Sequence, residues 1–118
     1  MLGTSGEDYI KAVLVLRTEL GYCRNIDIST LLDVSKASVT RALANLSSCG
    51  LIDMVNHDVR LTPEGERLAT ATLEKYRFFE RLLRDAGVDG RIALEEACRM
   101  EHCLSEDSFR KLLRYLGG

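Results

Sequence analysis

Between Ile26 and Thr62 the sequence packs two short helical patterns and two strand-like runs into one uninterrupted stretch, an order that few architectures accept. Ile28, Leu31 and Leu32 give the first pattern. Ser35 is placed to cap the second, in which Val39, Ala42, Leu43 and Leu46 recur at the helical period and mark a core face. Gly50 supplies a stop, after which Leu51–Val55 reads as a strand, Asn56-His57-Asp58 as a turn and Val59–Thr62 as a returning strand. Two short helices around a tight turn suggest a helix-turn-helix, and a hairpin directly behind them is the wing of a winged helix. Opposite its core face the second pattern carries Lys36, Ser38, Thr40 and Arg41, small polar groups and cations that suit a major groove. A solvated amphipathic helix has the same look. His57 and Arg60, at or beside the wing tip, are placed to touch phosphate or the minor groove, although lone residues of these types are commonly just exposed.

The flanks are helical. Thr4 or Ser5 can cap a first helix, with Glu7 or Asp8 completing a capping box and Tyr9, Ile10, Val13, Leu14 and Leu20 forming its apolar stripe as far as Gly21. Carboxylates in that first turn also suit the helix dipole, which accounts for Asp8 without any ligand. Thr62-Pro63-Glu64 opens the longest helix, running through Leu68, Tyr76, Phe79 and Leu83 toward Gly87. Its length exceeds what the winged helix needs, so its second half is expected to bridge to another unit, with the surplus apolar surface around Phe78 and Phe79 as a dimer contact. Asp89 begins a fifth helix through Cys103, and Ser105 caps a sixth with Phe109, Leu112, Leu113 and Leu116 at core spacing.

Of the 118 residues 46% are hydrophobic and 29% charged, which excludes a disordered chain. A net charge of -2 excludes a wholly basic nucleic-acid coat but leaves room for one basic face. No apolar run is long enough to span a membrane, and Met1-Leu2-Gly3-Thr4-Ser5 lacks the order of a secretory signal, so a cytoplasmic protein with no membrane partner is expected. Cys23, Cys49, Cys98 and Cys103 form no C-x-x-C pair and are expected as free thiols, Cys23 and Cys49 in structural positions.

Ala97-Cys98-Arg99-Met100-Glu101-His102 is the one stretch with chemistry in it. On a helix, Cys98, Glu101 and His102 fall at i, i+3 and i+4 and share a face. A thiol, a carboxylate and an imidazole are three sides of a transition-metal coordination sphere. Spacing alone fits the bland reading equally well, with Cys98 packed as a small hydrophobe and the other two facing water.

Four blocks, in order, resemble the iron- and manganese-dependent repressors of the diphtheria-toxin-repressor and manganese-transport-regulator family. They are Glu7-Asp8-Tyr9-Ile10, Val34-Ser35-Lys36-Ala37-Ser38-Val39-Thr40, Leu61-Thr62-Pro63-Glu64-Gly65 and Glu95 through Ser105. The resemblance implies that Cys98, Glu101 and His102 are metal ligands on a dimer-domain helix, that Asp8 adds a ligand from the first helix, and that Ser35, Ala37 and Arg41 approach DNA. Three positions depart from the pattern. Lys11 stands where manganese-type members carry a second carboxylate, Tyr76 where members place a histidine, and Leu94 where an iron-type ancillary site uses one. Glu80 alone remains of that ancillary site, and Lys11 would repel a second ion, so one metal per subunit is expected. No SH3-like domain of the kind some members append is expected.

The fold expected is therefore mainly α: an N-terminal winged helix-turn-helix with a two-stranded wing over residues 1–70, followed by a helical dimerisation and metal-binding domain over 71–118. The function expected is a homodimeric, metal-dependent repressor of metal-homeostasis genes, binding a double-stranded DNA operator. Metal held between Asp8 and the Cys98, Glu101, His102 face would set the separation of two recognition helices. Fe(II) is favoured by the thiolate and imidazole, with Mn(II) next. Two rivals remain: a winged-helix regulator with a vestigial metal site that answers another signal, and a protein-interaction module without a DNA role. An enzyme is the least supported reading, because no phosphate loop, H-E-x-x-H motif or third orienting residue is present.

Overall fold

A computed structural model describes the backbone over residues 4–117. The side chains of Thr4 and Ser5 lie outside the described residues, and with them the cap expected there. Six helices and one hairpin follow in order: α1 (Thr4–Leu20), α2 (Asn25–Leu32), α3 (Lys36–Ser48), β1 (Ile52–Val55), β2 (Asp58–Leu61), α4 (Pro63–Asp85), α5 (Gly90–Met100) and α6 (Glu106–Tyr115). The chain divides after Thr70 into two compact units. Among the described residues no helix is long and apolar enough to cross a membrane.

The first unit is a winged helix. α1 packs on α2, α3 and β2, and α3 on β1. Tyr9, Ile10 and Val13 from α1, Ile28 from α2, Val39, Leu43 and Leu46 from α3, and Ile52 and Val59 from the hairpin close one core. Burying an aliphatic side chain of this size contributes about 1.5–3 kcal/mol. The Ser35 hydroxyl accepts from Ser38 N–H at 3.1 Å, the cap that its position predicts. β1 and β2 pair antiparallel, with Ile52 opposite Leu61 and Val55 opposite Asp58. Asp58 is thus in the strand, and the loop is only Asn56-His57, both at positive φ (52° and 67°) as a two-residue type I′ loop requires. Thr62 caps α4: its hydroxyl accepts from Gly65 N–H at 3.1 Å and donates to Gly50 C=O at 2.7 Å. Gly65 is obligatory, since a Cβ there would stand 1.9 Å from the Leu51 carbonyl oxygen.

The second unit comprises the remainder of α4 with α5 and α6, around Phe79, Ala97 and Phe109. Phe78 and Phe79 do not remain as surplus surface. Their rings meet Phe109 edge-on or tilted at centroid distances of 5.5 and 6.0 Å, because α6 brings a third aromatic ring to them. The exposed apolar residues of this unit are instead Leu82, Ile92, Leu94, Tyr115 and Leu116. Asp89 and Ser105 cap α5 and α6. Cys23 is buried as expected, whereas Cys49, at the C-cap of α3, is exposed, because the helix ends there with its core face already completed by Leu46.

Candidate metal centre and nucleic-acid surface

α5 ends three residues earlier than its apolar pattern predicts. Glu101 N–H still bonds back to Ala97 C=O, but His102 and Cys103 reach only three residues back, to Arg99 and Met100, so the last turn tightens. Glu101 and His102 therefore stand on the turn that closes the helix, and Cys98, half-buried, one turn before it. Glu101 is 1% exposed. The His102 Nε2 lies 3.7 Å from Glu101 Oε1. A carboxylate at such depth calls for a cation or a proton, and an imidazole beside it supplies a neutral donor of the kind divalent metals take. The donor set thus fits a transition metal on its chemistry.

Around this turn, Tyr76 has its phenol pKa raised, by burial first and then by the negative charges of Cys98, Glu80 and Glu101. Those groups share one neighbourhood of the second unit. Glu80 is half-buried and ion-paired with Arg84. Lys75, 8% exposed, donates to Leu104 C=O at 2.9 Å and so tethers the segment that follows His102. Its part was not legible in sequence, because the contact spans 29 positions and ends on a backbone atom.

Asp8 sits half-buried on α1, beside the buried Tyr9. On α3, Lys36, Ala37, Thr40 and Arg41 are exposed, Ser35 is exposed at the cap and Ser38 is half-buried. Much of the small polar chemistry on this face is used locally. Thr40 Oγ1 donates to Lys36 C=O at 3.0 Å and accepts from Asn25 Nδ2 at 3.0 Å, while Ser38 Oγ receives Arg41 Nη2 at 3.3 Å. Lys36 and Arg41 are the cations of that face. On the wing, His57 is exposed at the loop and Arg60 on β2.

Arg17, which the sequence left unremarked, and Asp58, which it placed in the turn, fix the wing. Arg17 Nη1 stands 2.9 and 3.0 Å from the two Asp58 carboxylate oxygens and donates to Val59 C=O at 3.1 Å. Asp58 also accepts from Cys23 N–H at 2.9 Å and from Arg60 Nε at 3.1 Å. Its pKa is lowered to about 2, chiefly by the Cys23 amide; burial opposes the shift, and the hydrogen bonds and charge of Arg17 and Arg60 add to the lowering. A carboxylate beside a hairpin loop was the available signal, but its partner lies 41 residues away.

Residues 1–58 match the model of the iron dependent repressor N-terminal DNA binding domain. Residues 62–118 match that of the iron dependent repressor metal binding and dimerisation domain. The transcriptional regulator MntR of Salmonella typhimurium is 36% identical over 110 residues, covering 92% of this chain and 70% of its own length. The diphtheria toxin repressor of Corynebacterium diphtheriae is 33% identical over 112 residues, 93% of this chain and 50% of that one. Among solved structures, that of T. acidophilum IdeR superposes with a TM-score of 0.75 at 34% identity, over 95% of this chain and 54% of the other. The chain spans about half the length of that solved relative and of the diphtheria toxin repressor.

Proposed function

The chain belongs to the family of metal-dependent transcriptional repressors that includes MntR and the diphtheria toxin repressor, and from that premise we propose that it is itself a homodimeric repressor whose DNA affinity is set by one divalent metal ion per subunit. The observation that carries the reading is the buried Glu101 carboxylate beside the His102 imidazole, one helical turn after Cys98. Cys98, Glu101 and His102 of the second unit and Asp8 of the first are the proposed ligands. When bound, the ion supplies charge compensation and fixed geometry, not chemistry on a substrate. Drawing ligands from both units makes metal occupancy and the competent arrangement interdependent. A differential affinity of about 1–3 kcal/mol between arrangements gives a 5- to 150-fold switch in DNA binding.

The DNA surface comprises Lys36 and Arg41, contacting phosphate or base edges, Ser35, Ala37, Ser38 and Thr40 as close-approach positions, and His57 and Arg60 on the wing. In a two-fold dimer the recognition helices meet half-sites about one DNA turn apart, so modest changes in their separation decide binding. The exposed Ile92, Leu94 and Leu82 suit a contact between copies. Fe(II) is the proposed ion, since thiolate and imidazole favour it over Mn(II), and Mn(II), suited to the two carboxylates, ranks next. One ion rather than two follows from Lys11, Tyr76 and Leu94 at positions where a second ion would need ligands.

Anaerobic titration with Fe(II), Mn(II), Co(II) and Zn(II), reading stoichiometry and operator affinity together, tests the reading. One ion per subunit and DNA binding that chelator abolishes are expected. Equal DNA binding with metal and with chelator would sink the switch, and two ions per subunit would sink the single-site assignment.

A further inference from the structure

A two-stranded ribbon is marginal by itself, and this one turns through two non-glycine residues at positive φ, so something outside the hairpin must hold it. The holding contacts converge on one carboxylate. Asp58 takes hydrogen bonds from Arg17 of α1, from the Cys23 amide ahead of α2 and from Arg60 of its own strand. Val59 beside it is fully buried, and its N–H donates to Cys23 C=O at 2.7 Å. Arg60 uses its Nε on Asp58, and its side chain is 53% exposed, so the terminal amino groups are the part a phosphate oxygen would meet. Arg17 and Arg60 against Asp58 sum to one positive charge. Arg17 compensates the carboxylate, and the charge of Arg60 stays available to an anion.

We propose that Asp58 is a positioning residue for DNA recognition, holding the wing on α1 and presenting Arg60 to the DNA backbone, with Arg17 as the neutralising partner that makes an acid tolerable there. The proposal rests on the DNA-binding reading of this chain. It predicts a sign that charge alone does not. Removing an acid from a DNA-facing surface should tighten binding through counterion release, whereas losing a positioning residue should weaken it.

The test measures duplex affinity of the full-length, Mn(II)-loaded protein against salt concentration for the unsubstituted chain, Asp58→Asn, Arg60→Gln and the double variant, with circular dichroism and metal affinity recorded alongside. Asp58→Asn is expected to bind roughly tenfold more weakly, to lower the salt slope by about one as Arg60→Gln does, and to add nothing to Arg60→Gln in the double variant. If Asp58→Asn fails to fold, Arg17→Lys, which keeps the charge and loses the Nη1 contacts to Asp58 and to Val59 C=O, is expected to show the same loss of slope with metal affinity unchanged. Binding by Asp58→Asn at or above the original affinity, or full additivity with Arg60→Gln, would overturn the inference while leaving the DNA reading intact. No salt-dependent binding by the unsubstituted protein would instead bring down the DNA reading, and this role with it.

Discussion

Single side chains divide here into those whose environment the sequence announces and those whose environment is made by distant neighbours. Ser35, Thr62 and Asp89 cap helices because a side-chain oxygen at a helix start can accept from the amides beyond it, and that logic is local. The thiols are the opposite case. Cys23 is buried and its pKa is pushed up to about 12, by burial first and then by the charges of Asp27 and Asp58, whereas Cys49 and Cys103 are exposed. Maleimide or disulfide-exchange labelling of the native protein near pH 8 should therefore modify Cys49 and Cys103 and spare Cys23 until the chain unfolds, as mass spectrometry would report. Because the thiolate of Cys23 is disfavoured only in the folded state, its linkage to folding is silent below pH 9 and costs stability as pH rises from 9 toward 12. A Cys23→Ser chain should lose that alkaline component of the pH profile. Gly65 is sharper still: Gly65→Ala places a methyl against the Leu51 carbonyl and should cost about 2 kcal/mol or more in denaturant unfolding, although Ala is the better helix former.

At the scale of elements, the periodic signals located every helix and the hairpin, and the discrepancies have physical causes. Apolar spacing carried α5 on to Cys103, but periodicity does not register a switch from four- to three-residue hydrogen bonds, so the tightened turn at Glu101–Cys103 was invisible. The wing loop was read one residue too long because Asp58 is a turn-former by composition and a strand residue by pairing. His57 at φ 67° holds a conformation in which glycine is preferred. His57→Gly should raise stability by about 0.5–1 kcal/mol if the loop serves folding alone. A rise in the unfolding midpoint accompanied by weaker DNA binding would mark the imidazole as kept for recognition at the expense of the turn. The Arg17–Asp58 bridge adds a pH signature to the wing. With its folded pKa lowered to about 2, Asp58 contributes stability that is present above pH 4 and is lost as pH falls through 2. Acid unfolding of Asp58→Asn should lack that final step.

For the whole molecule, the order of four sequence blocks was enough to indicate the family, because residues in them such as Ser35, and Thr62 with Gly65, sit where the fold has a fixed demand, a cap or a close approach. What four blocks do not contain is the side-chain wiring among them, in which Arg17, Asn25 and Lys75 bond to partners 11 to 41 positions away. Metal should act on the molecule as a ligand of the folded state. Saturation at one hundred times the dissociation constant would raise stability by about 2.7 kcal/mol. Differential scanning calorimetry with and without chelator should show that shift in the unsubstituted chain and its loss in Glu101→Gln and His102→Ala. The bridge between α1 and the wing also bears on transplantation. A hairpin of residues 51–62 grafted onto another scaffold would leave behind the guanidinium of Arg17 and the Cys23 peptide, arriving with an acid that has only Arg60 for a partner and with a slack loop. The portable module is the hairpin together with the two segments that brace it.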